Sequence, residues 1–346
     1  MSKKLISRRN FLKTTGFISA AGLLAACGGS SSSSTAVSST APASSAAAVA
    51  GISVTKDNIK FGFLAPTLQT EFFIGIDDGL KEVAAQEGWT YTSVSFENDS
   101  GTAVTDIENM VTSGCNVILA MVSDNSCDDA LKEAQDAGVI VMECGVETSV
   151  YDICINSDQY DIGTMISDMA GEWINKQLGG KANIVVYTTY QNQDMQNRGQ
   201  DMQNRGQGIQ DRIKELCPDS TILEVVDIGK DVVGAGTTYT ETMIQKHPDL
   251  NCILCYGDAA ATEAVEAVKA AGMASDNFGI FACDGTESAL KYIATNDVMR
   301  GTLKFGSVAE RTRDCLYQYI DGEITSGTVV KFPISPVTAA NVADYQ

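Results

Sequence analysis

Beyond Lys60 the chain alternates short apolar runs with longer segments whose apolar positions recur every three or four residues. The short runs fall at 60–65, 91–96, 117–122, 139–144, 152–156, 183–187, 222–227, 252–257, 278–283 and 301–305. Each reads as a strand buried on both faces. Between most of them, residues 74–86, 103–113, 128–137, 162–178, 208–216, 239–246, 262–271 and 287–295 carry the helical period. Gly88, Gly114, Gly138 and Gly272 each close a helix just before the next strand. Strand then helix, repeated, predicts right-handed crossovers and an α/β fold of doubly wound parallel sheets covered on both faces.

Ahead of this body the pattern changes twice. Ser7-Arg8-Arg9-Asn10-Phe11-Leu12-Lys13 is followed by an apolar run over 16–24 and then by Leu24-Ala25-Ala26-Cys27. The run is too short to span a bilayer, so the segment reads as an export signal rather than a membrane helix. The first string resembles a twin-arginine export motif; an ordinary secretory signal with a positive start is the alternative. The second string resembles a bacterial lipoprotein box, which implies a signal peptide over 1–27 and a lipid on Cys27 as the new N-terminus. Residues 28–51 are almost all Ser, Ala, Thr and Gly, too poor in apolar surface to offset the entropy of ordering. Residues 28–55 therefore form a tether, with a reach of about 25–30 Å.

About 295 residues remain, enough for two lobes of roughly 150 each. The signal removes five basic residues and no acidic one, which takes the formal charge from −20 to −25. That charge repels nucleic-acid phosphates and an anionic lipid surface alike. Ten Cys in an exported chain suggest disulfides, yet apart from Cys27 they sit largely where apolar strand or helix residues belong. Buried reduced thiols are the expectation, with a disulfide or a metal site as alternatives. Cys252 and Cys255 have C-x-x-C spacing, but three apart on a strand they point to opposite faces, and no second pair follows.

The order of several strings then narrows the fold. Lys60–Ala65 with Phe72-Phe73, "SGCNVILAMVSDNS", "DAGVIVME", "NSDQYDIGTMISDMA", "NRGQGIQ", "HPDLNCILCYGDAAATEAVEAVKAAG", "FACDGTESALKYI" and "FPISPVTAANV" follow one another over residues 56–341. This resembles the ribose-binding group of periplasmic sugar-binding proteins. The resemblance implies two doubly wound parallel-sheet lobes joined by a three-strand hinge, 56–157 plus 306–331 and 158–305 plus 332–346. The chain would change lobe near Ser157, Phe305 and Phe332. Ligand would bind in the cleft at the carboxyl ends of the strands, and the lobes would close on it.

The same resemblance selects residues. Phe72 and Phe73 match paired aromatics that stack on a sugar ring, although one of two adjacent helical residues can equally face the core. Arg205, in Arg205-Gly206-Gln207-Gly208-Ile209, matches an arginine that forks onto ring oxygen and hydroxyls, a contact its planar donors suit. Asp284 and Asp258 end strands as hydroxyl-accepting carboxylates do; an N-cap role is the rival for Asp284. Thr70, Glu143, Tyr190 and Phe305 complete the expected ligand contacts. The chain also departs from the pattern, with Gly257, Glu143-Cys144 and Phe305 where hydroxyl-reading groups are usual. Ribose is therefore not expected, and both another sugar and a less hydroxylated molecule stay open.

Asp194–Gln200 and Asp201–Gln207 repeat the same seven residues, and only the second copy leads into Gly208-Ile209, which favours Arg205 over Arg198. A single His, His247, excludes a His-based triad or a multi-His metal site, and no phosphate-cradling glycine motif occurs. A carboxylate-pair hydrolase built from Asp258, Asp284 or Glu143 is the enzymatic rival, and the gene-repressor branch of the fold would need a DNA-binding module where the signal and tether stand. The expectation is a monomeric, lipid-anchored, extracytoplasmic receptor without cofactor that hands a small molecule, foremost a carbohydrate, to an ABC permease. A ligand-sensing receptor for a membrane signalling protein, or a binder of a nucleoside or small acid, is the alternative.

Overall fold

In the computed structural model, described over residues 53–122, 124–189, 199–229 and 233–345, the apolar runs assemble into two six-stranded sheets within one compact unit. Cys27, the tether up to residue 52, Tyr190, Arg198 and residues 194–198 of the first repeat copy lie outside the described residues. The first sheet holds β1 (Lys60–Ala65), β2 (Thr90–Ser95), β3 (Val117–Ala120), β4 (Ile140–Cys144), β5 (Ile153–Asn156) and β11 (Thr328–Lys331). Its order is β2-β1-β3-β4-β5-β11, parallel throughout. The second holds β6 (Asn183–Thr188), β7 (Thr221–Asp227), β8 (Cys252–Cys255), β9 (Gly279–Asp284), β10 (Met299–Phe305) and β12 (Ile334–Thr338). Its order is β7-β6-β8-β9-β10-β12, with only β12 antiparallel.

Helices cover the sheets: α1 (Glu71–Glu87), α2 (Ser100–Thr112), α3 (Asp128–Asp136), α4 (Gln159–Gln177), α5 (Gly199–Leu216), α6 (Ala235–Lys246), α7 (Asp258–Ala270), α8 (Glu287–Ala294) and α9 (Val308–Ile320). The period of two assigns side chains to opposite layers. Phe61, Phe63 and Leu119 pack on one face of the first sheet, Leu64, Ile118 and Val141 on the other. Cys255 and Cys252 likewise enter different layers of the second sheet. All nine Cys of the described residues are buried and free of disulfides.

Several helices begin about a turn earlier than the apolar period suggests, as α1, α2, α4 and α7 show. The first turn carries polar caps, such as Asp99 on Thr102 N and Asp158 on Tyr160 N, so it lacks the apolar stripe that marks the rest. The sequence reading also missed α9, β11 and β12. Both strands are sheet edges, and β12 contains Pro336, which an edge tolerates and a central strand does not.

The chain passes between sheets three times: between β5 and β6, after β10, and between β11 and β12. At these crossings Gly306 N donates to Pro333 O at 3.1 Å and Phe332 N to Ser157 Oγ at 3.3 Å. In each sheet the strand order reverses at the first strand of its half, β1 or β6. Such switch points open a crevice at the carboxyl ends.

One helix pair sets the height of the second wall of that crevice. Gly163, Ser167 and Gly171 recur every fourth residue along α4 and face α5. A Cβ on Gly163 would lie 2.1 Å from Arg205 O, and one on Gly208 would lie 2.3 Å from Tyr160 O. Ser167 Oγ donates to Ile209 O at 2.7 Å. The two backbones touch because these positions are small, and that contact fixes where Arg205 projects.

Candidate functional site

The strand ends of both sheets enclose a cavity of about 160 Å³. That is the scale of a cavity of about 150 Å³ that holds one benzene ring. Pro66 after β1, Met121 and Val122 after β3, Cys144 and Val146 at the end of β4, and Phe72 and Phe73 line it from the first sheet's side. Thr189 after β6, Tyr256 and Gly257 after β8, Asp284, Gln159 and Arg205 line it from the second. Asn156, Ser157, Phe305 and Phe332 close the side where the chain crosses.

Both Phe72 and Phe73 face the cavity, with centroids 5.2 Å apart and ring planes at 67°. They occupy the first turn of α1, which projects past the strand ends. From Phe72 the aromatic contacts continue to Phe305 at 6.3 Å and from there to Phe332 at 6.0 Å. Rings packed this way present edges and faces suited to an apolar ligand surface.

Arg205 is only 8% exposed, in the second turn of α5. Its Nε and Nη2 both donate to Gln159 Oε1, at 2.9 and 2.5 Å. Nη1 donates to Tyr256 O and, at 3.1 Å, to Cys283 Sγ. Four of the five N–H groups thus go to the protein among the described residues. Gln159 Nε2 passes the network on to Gly145 O at 3.1 Å and Ser157 O at 3.3 Å. The arginine is a braced charge at the cavity wall, tied through one glutamine to the crossing. Burial pushes the Cys283 thiol well above its ordinary value, despite the neighbouring arginine, so the sulfur stays neutral.

Asp284 ends β9 with φ of +124°, a conformation side chains other than glycine rarely adopt. Its Oδ2 accepts from Asp258 N at 3.1 Å, and a Cβ on Gly257 would lie 3.0 Å from that oxygen. Gly257, a departure from the resembled pattern, makes room for the carboxylate. The cap of α8 is Thr286, whose Oγ1 accepts from Ala289 N, so Asp284 is not the N-cap.

Other expected contacts are placed elsewhere. Asp258 is fully buried as the first residue of α7: Oδ2 accepts from Thr286 N at 2.8 Å and Oγ1 at 3.1 Å, and Oδ1 from Thr302 Oγ1 at 2.7 Å. It stitches α7, α8 and β10 below the cavity instead of lining it. Burial pushes its carboxyl up to about 7, against these hydrogen bonds. Glu143 is 1% exposed and accepts from Thr148 N at 2.7 Å, outside the cavity lining, whereas its neighbour Cys144 lines it. Thr70 borders an adjoining cavity that shares Phe72 and Tyr256 with the first. Tyr190 lies outside the described residues.

The sequence reading missed Gln159, Tyr256, Asn98 and Thr189. Gln159 follows a capping Asp at the start of a helix, where glutamine is ordinary, so nothing local marks it. The spacing of Gly163, Ser167 and Gly171 was the available signal that α4 approaches something closely. Among the described residues no group of three or more His, Cys, Asp or Glu is placed to hold a metal ion, and no helix is long and apolar enough to cross a membrane.

Comparison with known proteins places this geometry. A family model described as a periplasmic binding protein domain matches residues 61–323. The ribose import binding protein of Bacillus subtilis (strain 168) is 24% identical over 245 residues, 70% of this chain and 74% of that protein. A D-ribose/D-allose-binding protein of Pseudomonas aeruginosa is 25% identical over 236 residues, 64% of this chain and 69% of that protein. Among solved structures, an ABC transporter periplasmic solute binding protein from Actinobacillus succinogenes 130z with bound D-allose superposes with a TM-score of 0.71 at 18% identity, covering 83% of this chain and 100% of that one. A Caulobacter myo-inositol binding protein bound to myo-inositol gives 0.68 at 21% identity, covering 83% and 95%. Likeness at these identities is likeness of fold.

Proposed function

The chain belongs to the periplasmic binding protein domain family, and we propose that it is an exported receptor that captures a sugar-sized ligand between its two sheets and delivers it to an ABC importer. The observation that carries this reading is the cavity at the carboxyl ends of both sheets, sized for one ring, with Phe72 and Phe73 on one side and Arg205 and Asp284 on the other. Aromatic faces take the C–H surface of a sugar; a braced cation and a carboxylate take its hydroxyls. The curated relatives are named as ribose and allose binders, which supports a carbohydrate ligand.

The two lobes are residues 56–157 with 306–331 and residues 158–305 with 332–346, and they move about the three crossings at Ser157, Phe305 and Phe332. Cys27 carries the lipid, and the tether holds the body outside the membrane, within reach of a permease. A thermal-shift screen of monosaccharides, polyols, nucleosides and small acids tests the ligand class. A ligand present at 100 times its dissociation constant adds about 2.7 kcal/mol to the folded state, a rise in melting temperature of several degrees. Stabilisation by nucleosides or acids and by no carbohydrate contradicts the proposal.

A further inference from the structure

The two walls of the cleft differ in chemistry, and we infer from this that the ligand is a deoxy sugar, bound with its hydroxyl-bearing edge toward Arg205 and Asp284 and its carbon edge toward Met121, Val122 and Cys144. The inference rests on the carbohydrate reading above. The second sheet's side presents Gln159, Thr189, Arg205 and Asp284 to the cavity. The first sheet's strand ends present Pro66, Met121, Val122 and Cys144, with Val146 beside them. On that side Asn98 is the one polar side chain among the described residues, apart from Asn156 and Ser157 at the crossing.

Met121 and Cys144 are buried, at 8% and 4% exposure. Burial raises the Cys144 thiol to about 12, so it remains neutral and offers a ligand only a weak S–H. The one carboxylate on that strand, Glu143, turns away and takes Thr148 N. A hydroxyl pressed against this wall gives up its water and finds no partner in these side chains, whereas a methyl or methylene there loses nothing polar and gains contact. A site discriminates strongly against a polar group it leaves unpaired.

Calorimetric titration of the purified protein with sugars that differ only at one oxygen tests this: D-galactose against 6-deoxy-D-galactose, L-mannose against 6-deoxy-L-mannose, and D-ribose against 2-deoxy-D-ribose. At least one deoxy member is expected to bind tenfold or more tighter than its parent. Met121→Gln, close in size, is expected to narrow that gap by favouring the parent sugar. Parents that bind as tightly as their deoxy partners overturn the inference and leave the carbohydrate reading standing. An unchanged gap in Met121→Gln overturns the role given to that wall. Failure of every carbohydrate to bind removes both readings together.

Discussion

Glu71 Oε1 accepts a hydrogen bond from Ser288 N at 3.0 Å, which joins the first turn of α1 on the first sheet to the first turn of α8 on the second. Sequence separates the pair by 217 positions, and the contact runs from a helix of one sheet to a helix of the other. The carboxylate sits at the positive end of α8, where an exposed charge contributes about 0.3–1 kcal/mol. On the hinge motion proposed above, this contact belongs to the closed arrangement, so Glu71→Ala is expected to weaken ligand binding about two- to fivefold while leaving the unliganded melting temperature nearly unchanged. Titration calorimetry on both proteins checks it, and equal affinities would remove Glu71 as a latch.

Asp258 makes stability depend on pH in a direction opposite to that of an ion-paired carboxylate. Its ordinary value is 3.8 and burial lifts it to about 7 in the folded protein. Across that window the folded state holds a proton that the unfolded state has released, so stability contributed at low pH is lost as pH rises through the folded value. The loss is at most about 4 kcal/mol. Asp258→Asn lacks this titration, so wild-type stability is expected to fall relative to the variant between about pH 4 and 7. Urea unfolding at pH 4, 5.5 and 7 measures it; parallel profiles would count against a buried, proton-linked Asp258.

The α4–α5 contact couples packing to the site. Gly208→Ala puts a methyl where Tyr160 O stands 2.3 Å away, so the helices must part. The expected cost is about 1–3 kcal/mol or more of stability, accompanied by weaker ligand binding, because Arg205 rides on the same turn of α5. Ala in place of Gly229, which has open space around it, is a control for backbone strain alone. A Gly208→Ala protein that melts and binds like wild type would show that the helices accommodate the methyl.

Burial also governs thiol chemistry. Nine cysteines of the described residues are buried and outside any disulfide, and desolvation raises Cys144, Cys252, Cys255 and Cys283 among them. Iodoacetamide at pH 8 is expected to leave them unmodified in the native protein and to label at least eight of the nine after unfolding without reductant. Fewer than four labelled after unfolding would mean that disulfides form.

Strand positions and the doubly wound class were legible in the sequence because each central strand is buried on both faces, which leaves an uninterrupted apolar run. Strands β11 and β12 were not, since they span only four and five residues and polar residues or Pro336 interrupt them, whereas the other two edges, β2 and β7, were read. Within the site, Phe72, Phe73, Arg205, Asp284 and Phe305 were legible and do line the cavity. Asp258 and Asp284 look alike in sequence, each an acid at a strand end. Their fates differ through tertiary partners: Thr302 and Thr286 take both oxygens of Asp258, while a positive φ turns Asp284 to the cavity. Gln159 had no local signal at all, because its role exists only once Arg205 arrives from 46 residues away.

In the proposed complex a small polyhydroxylated ring is held in this cleft by Asp284 opposite the aromatic pair. Titration calorimetry of wild type and Asp284→Asn with the carbohydrate that stabilises the wild type most tests it directly. The substitution keeps shape and an oxygen for Asp258 N but removes the charge, and hydrogen bonds to a charged group are worth about 1.5–3 kcal/mol. Saturable one-to-one binding by the wild type, weakened at least tenfold in Asp284→Asn with little change in the unliganded melting temperature, is the predicted result. Equal affinity in the two proteins would contradict the claim and place the ligand elsewhere.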